Sequence, residues 1–226
     1  MKTMASDIAQ NLKQVVSSLP ATTRLVAVSK FHPVEQLQQA YDAGQRLFGE
    51  SHVQELCRKA PLLPQDIEWH FIGHLQTNKV KYIVGLVSMI ESVDSLKLLH
   101  EINRQAERIG RTVDVLLELH IAQEESKYGF SFDDVRSLLQ QGALSQYPHV
   151  RVCGLMTMAS FVDDQEQIAS EFQRAKDFFD EVKSRWFSTA DYFRECSWGM
   201  SHDYPIAVDH GATLVRVGTL IFGERA

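Results

Sequence analysis

The 226 residues are 44% hydrophobic and 23% charged, an ordinary balance for a globular chain long enough to bury a self-sufficient core. A net charge of −6 and an isoelectric point near 5.8 argue against the broad basic face of a nucleic-acid binder, although a small anion needs only a few local donors. Cys57, Cys153 and Cys196 are odd in number, dispersed and without a C-x-x-C pair, which excludes a disulfide framework or structural zinc site as the organising element and fits a reducing compartment.

The first stretch, "MKTMASDIAQNLKQVVSSLP", lacks the apolar centre of a signal peptide and predicts an amphipathic helix at about 5–18. The longest apolar runs are of strand length, far short of a membrane span, so no membrane association and a cytoplasmic location are expected. Short β-rich runs then recur: "LVAVSK" (25–30), "LFGES" (47–51), "WHFIGH" (69–74), "MIESVD" (89–94), "DVLLELH" (114–120), "RVCGLMTM" (151–158), "YFRECSW" (192–198) and "TLVRVGT" (213–219). Helical stretches lie between them. "PVEQLQQAYDAG" has Pro33 at its start and Gly44 past its end, "SLKLLHEINRQAERIG" opens at a Ser95 cap, and "DDQEQIASEFQRAKDFFDEVKSRW" repeats apolar residues at helical spacing.

Eight strands, each followed by a helix or room for one, predict an α/β chain folded as a single (β/α)8 TIM barrel over residues 1–226. An open doubly wound sheet usually has fewer strands and a glycine-rich first turn, whereas the first turn here is "KFHPVE". In a barrel the C-terminal strand ends carry the active face, and phosphate often sits after strands seven and eight. Lys30, Ser51, His74, Asp94, His120, Ser197, Ser201 and Thr219 are expected on that rim.

Strand alternation puts Val26, Val28 and Lys30 on one face, so the ammonium is expected over the barrel mouth, where partial desolvation favours the neutral amine and imine chemistry. The same alternation aligns Leu214, Arg216 and Gly218. An arginine there is either half of a buried ion pair or a ligand contact. Gly218, Thr219 and the "SWGMSHD" stretch with Ser201 offer bare amides and hydroxyls suited to a phosphate. His70 and His74 lie four apart on a strand, too far for easy shared ligation, so no metal site is expected; such histidines are more often packed and hydrogen-bonded.

A lysine ending strand one, an anion pocket after strands seven and eight, and an arginine between them describe a pyridoxal-phosphate (PLP) site. In "VAVSK", "WHFIGHLQTNK", "VDSLK", "GLMTM", "GMSHD" and "VRVGTLIFGER" the chain resembles the pyridoxal phosphate homeostasis proteins, relatives of the N-terminal barrel of alanine racemase, from about Leu25 to Arg225. The resemblance implies PLP held as a Schiff base on Lys30, Arg216 at the pyridine nitrogen, and phosphate on Ser201, Gly218 and Thr219, with Met200, Ser51 and His74 completing the cofactor site. It departs from the family pattern at Ser51 and His120, where asparagine is usual, and at Trp198, where methionine is typical.

What the resemblance implies is a monomeric PLP carrier, exchanging cofactor with PLP-requiring apoenzymes, without robust turnover. Related racemases draw one of their two acid/base groups from an additional β domain, and a chain ending at Ala226 is expected to lack it. The competing class is an enzyme, either an amino-acid racemase or a cofactor-free aldolase using Lys30.

Overall fold

The computed structural model describes residues 7–121 and 128–224. The chain opens with helix α1 (Ile8–Ser17), capped by Asp7, whose side chain accepts from the Gln10 amide; Ile8, Leu12 and Val15 are its buried face. Residues 5 and 6 of the expected 5–18 helix lie outside the described residues. Strand β1 (Arg24–Val28) and helix α2 (Val34–Asp42) follow, then β2 (Leu47–Glu50), α3 (Val53–Lys59) and β3 (Glu68–Phe71). Next come α4 (Val80–Ile83), β4 (Met89–Val93), α5 (Leu96–Arg108), β5 (Val113–Leu119), α6 (Phe132–Gln140), β6 (Val150–Thr157) and α7 (Gln165–Trp186). The chain closes with β7 (Glu195–Met200), α8 (Tyr204–Asp209), β8 (Leu214–Val217) and α9 (Thr219–Phe222).

All eight strands pair in parallel in chain order, and β1 meets β8, so the sheet closes into the expected (β/α)8 barrel. Local signals explain the better-read helices. Ser95 caps α5 by accepting from the Leu98 amide at 3.3 Å, and the Asp164 side chain accepts from two amides at the start of α7. Pro33 precedes α2 as its cap residue, and Gly44 follows in the left-handed region at φ 104°.

Strands β1, β3 and β8 stop at Val28, Phe71 and Val217, short of the expected Lys30, His74 and Thr219, and the seventh strand starts late. Residues 192–194 lie before β7, which runs on instead to Met200. Of the aromatic pair that reads as strand, Phe193 packs outside the barrel, stacked on Phe187 and Phe179 with ring centroids 4.1 and 5.1 Å away, and Tyr192 is exposed.

Alternation divides the strand residues cleanly. Leu25, Ala27, Phe48, Trp69, Phe71, Ile90, Val115, Val215 and Val217 join the large core beneath the helices. Val26, Leu47, Met89, Leu116, Cys153, Met156 and Leu214 form a second, smaller cluster inside the barrel. Burial pushes the interior Cys153 thiol up to about 12, an inert small hydrophobe rather than a nucleophile. Among the remaining inward positions are the buried polar residues His70, Glu91, Glu118, Ser197 and Arg216. A barrel interior is ordinarily filled with branched apolar side chains; here polar residues replace part of that filling, from His70 at one end to Arg216 at the other.

Gly154 shows how tightly the sheet is drawn. It pairs with Glu195 beside the register shift between β5 and β6, and a Cβ there would stand 1.9 Å from the Glu195 carbonyl oxygen. Gly154→Ala should therefore destabilise the fold by roughly 2–4 kcal/mol, through displacement of β7. Urea unfolding checks this; an unchanged midpoint would show that the two strands part easily.

Candidate functional site

The C-terminal ends of β1, β7 and β8 surround a cleft of about 380 Å³ lined by Val28, Lys30, His32, Phe161, Met200, Ser201, His202, Arg216, Gly218, Thr219 and Gly223. Of the residues singled out from sequence, Lys30, Met200, Ser201, Arg216, Gly218 and Thr219 meet here. Ser51 and His74 do not line it. Ser51 is half-buried just beyond β2. His74 is exposed, 3.0 Å from Asp94 and under the Tyr128 ring at 4.0 Å between centroids. Ser197 is not on the rim at all but fully buried inside the barrel. Trp198, on the opposite face of β7, packs into the core beneath the helices, away from the mouth.

Lys30 lies two residues past the end of β1, half-buried, in a turn held from below by a buried ion cluster. Lys59 Nζ donates to the Ser29 carbonyl at 2.7 Å, to Glu50 at 2.8 Å and to Glu55 at 2.7 Å. Ser29 Oγ donates to Glu50 at 2.7 Å, and the Phe31 amide donates to Glu55 at 2.7 Å. Both residues flanking Lys30 are thus tied to one buried lysine and its two carboxylates. Phe31 adopts φ 68°, in the left-handed region that a residue with a Cβ enters at a cost of about 1–2 kcal/mol. Burial pushes the Glu50 carboxyl up, with Lys59 and Ser29 opposing.

The far wall is built from the last two strand ends. The Gly218 amide donates to Ser201 Oγ at 3.2 Å, and a Cβ at Gly218 would stand 2.9 Å from the Val28 carbonyl oxygen. The missing side chain lets the β8–α9 turn lie against the end of β1, which brings the Thr219 turn to the lysine turn. Asp203 fixes the neighbouring loop by accepting from the Met200 amide through Oδ1.

Arg216 forms the floor and is 4% exposed. Its Nη1 donates to the Ser197 carbonyl at 2.7 Å and to Ser197 Oγ at 2.6 Å, and Nη2 donates to the Thr157 carbonyl at 2.8 Å. Glu91 lies 3.9 Å away. Burial pushes the guanidinium below its ordinary range, while Glu91, Asp203 and Glu118 push back. Burial also drives the Glu91 carboxyl up, but the bond from His70, the attraction of His70 and Arg216, and the Ser197 hydroxyl outweigh it and hold Glu91 low. Glu118 has the opposite fate: burial, with repulsion from Asp94, raises it to about 7 against the pull of Arg216.

The donor set is an amine, a guanidinium, two hydroxyls and a bare amide turn in one cleft. It suits a small ligand that carries an aldehyde at one end and a phosphate at the other. Among the described residues no group of three or more His, Cys, Asp or Glu could hold a metal ion, and no helix is long and apolar enough to cross a membrane.

The chain matches the family model of the alanine racemase N-terminal domain over residues 5–226. It is 38% identical over 203 residues to the pyridoxal phosphate homeostasis protein of Aquifex aeolicus, covering 89% of this chain and 87% of that one. The human protein of the same name is 38% identical over 218 residues, covering 92% and 78%. The solved structure of PipY from Synechococcus elongatus with PLP bound superposes with a TM-score of 0.88 at 38% identity, across 96% of this chain and all of that one. The alanine racemase of Bartonella henselae, at 13% identity and a TM-score of 0.72, shares the fold. The chain belongs to the pyridoxal phosphate homeostasis proteins, within the alanine racemase N-terminal domain family.

Sequence reasoning missed Lys59, Glu50 and Glu55 beneath the lysine turn, and Glu91 and Glu118 beside the arginine. A buried Glu118 that titrates near 7 but at about 4.5 when unfolded makes folding oppose its ionisation. The penalty is absent below about 4.5 and complete above about 7, so it grows with pH. Glu118→Gln should stabilise the protein by about 2–3 kcal/mol at pH 8 and by little at pH 4.5. Paired urea titrations of both proteins at the two pH values measure it; equal gains at both would show that ionisation is not the cause.

Proposed function

We propose that the protein binds PLP and serves its homeostasis as a carrier. The convergence of Lys30, Arg216, Ser201, Gly218 and Thr219 on one cleft is the observation that carries this reading. Its relatives among the pyridoxal phosphate homeostasis proteins support it, as does the PLP-bound structure of PipY. PLP supplies an aldehyde that condenses with a primary amine and a phosphate that needs donors. Lys30 offers the amine over the mouth, and Ser201, Thr219 and the Gly218 turn receive the phosphate. Arg216 faces the pyridine end, with Met200 in the wall. Ser51 and His74 contribute, in this reading, from the other side of the rim.

The reading extends to a monomer in the cytoplasm that passes PLP to apoenzymes and turns over no substrate of its own. Arg216 is permanently charged. Against the pyridine nitrogen it keeps that atom from taking a proton, so the ring withdraws electrons less strongly from a bound substrate. The half-open cleft leaves the ligand accessible for exchange.

Borohydride reduction of PLP-loaded protein should add one pyridoxyl phosphate to the peptide containing Lys30, and Lys30→Ala should lose both the added mass and the visible absorption. Ser201→Ala and Thr219→Ala should each weaken PLP binding by about 1.5–3 kcal/mol, the cost of a hydrogen bond to a charged group, and pyridoxal without phosphate should bind poorly. Label on another lysine, or equal affinity for pyridoxal and PLP, would overturn the site. In the same preparations, alanine and serine enantiomers should remain unchanged while an apoenzyme gains activity. Lys30-dependent turnover at about 1–1000 per second would establish an enzyme instead.

A further inference from the structure

Four buried polar side chains form one hydrogen-bonded column through the barrel. His70 lines the cleft at the N-terminal ends of the strands, beside Arg24, Met89 and Glu195. Its Nδ1 lies 2.6 Å from Glu91 Oε1. Ser197 Oγ donates to the other carboxylate oxygen of Glu91 at 2.5 Å, and the same Oγ accepts from Arg216 Nη1 at 2.6 Å. Arg216 lines the opposite cleft, the one that contains Lys30. Exposure along the column is 2%, 0%, 0% and 4% from His70 to Arg216.

The proton positions follow from the chemistry. A guanidinium can only donate, so Ser197 Oγ accepts from it and turns its single proton to Glu91. Glu91 therefore receives from both sides as a carboxylate, and Nδ1 of His70 carries the proton between them. Every donor points toward Glu91. Such a chain is rigid, because reversing any member leaves a buried donor or acceptor unmatched.

We infer that Glu91 and, behind it, His70 are positioning residues for the cofactor: they set the direction and the effective charge of Arg216 from the far end of the barrel. This rests on the PLP reading above. Removing the anion beneath Arg216 raises the positive potential over the cleft, so a proton held on a cofactor nitrogen should leave at lower pH. Asp203 and Glu118 also face the guanidinium, and Lys30, His32 and His202 share its cleft; all are unchanged in the variants below.

The test loads wild type, Glu91→Gln, Ser197→Ala and His70→Leu with PLP and titrates the visible absorbance of the bound cofactor against pH. The midpoint should fall by about one pH unit in Glu91→Gln, and by less in His70→Leu, which never touches the cofactor cleft. The Glu91→Gln/Ser197→Ala double variant should shift less than the two single shifts combined, since both cut one chain. Midpoints that stay at the wild-type value in folded, PLP-loaded variants would reduce the column to core filling, and strictly additive shifts would break it into separate contacts. Should Glu91→Gln fail to fold, Ser197→Ala and His70→Leu decide by the same criterion. A second reading uses cofactor-free protein. The Arg216 guanidinium proton resonances should be individually resolved in wild type and merge in Ser197→Ala and Glu91→Gln. Merged resonances in wild type would overturn the column whether or not PLP binds, which separates its failure from failure of the PLP reading.

Discussion

A guanidinium buried within a barrel imposes the main constraint on this molecule. Arg216 cannot shed its proton, and an isolated charge in a low-dielectric interior is prohibitive. The barrel answers with two backbone carbonyls, a serine hydroxyl and a carboxylate, drawn from β4, β6 and β7. Leaving a buried charge of this kind without its partner typically costs about 3–5 kcal/mol. The same requirement displaces apolar filling from part of the interior and brings Glu91 and His70 into it. The binding chemistry at the mouth and the composition of the core are therefore one problem with one solution.

A second buried ion cluster, around Lys59, serves a different end. Its three donor protons go to Glu50, Glu55 and the Ser29 carbonyl, and the cluster sits beside the Lys30 turn without facing the cleft. Two lysines thus lie within one short region with opposite fates. Lys59 is 1% exposed and fully engaged as a structural cation, whereas Lys30 stands half-buried at the cleft. Burial separates the two: the buried amine is spent on structure, and the one at the cleft is within reach of a ligand.

The sequence made the barrel legible because its eight strand periods and helix boundaries are local signals. Alternation alone put Val26, Val28 and Lys30 on one face and Leu214, Arg216 and Gly218 on another, and both sets line the interior or mouth. Closure is not local. Ser197 and Glu91 are 106 residues apart, and nothing along the chain announces that they touch. Lys59 ends an ordinary helix with two basic residues in its last turn, so it reads as a solvated residue. Phe193 misled for a related reason: aromatic residues favour strands, but this one packs equally well in a loop against Phe179 and Phe187. Arg216 could have prompted a search for an inward carboxylate, and "MIES" in β4 contains one.

The strained turn at Phe31 bears on thermodynamics rather than shape. A free lysine surrenders much rotational freedom when it is captured, and that loss weakens binding. Here the backbone on both sides is already immobilised by Lys59 and Glu55, so the ordering has been done during folding. Affinity can then be gained without enclosing the ligand, and the cleft can stay open to solvent and to other molecules. On the proposed carrier reading this separation matters, because tight retention through burial would make release slow.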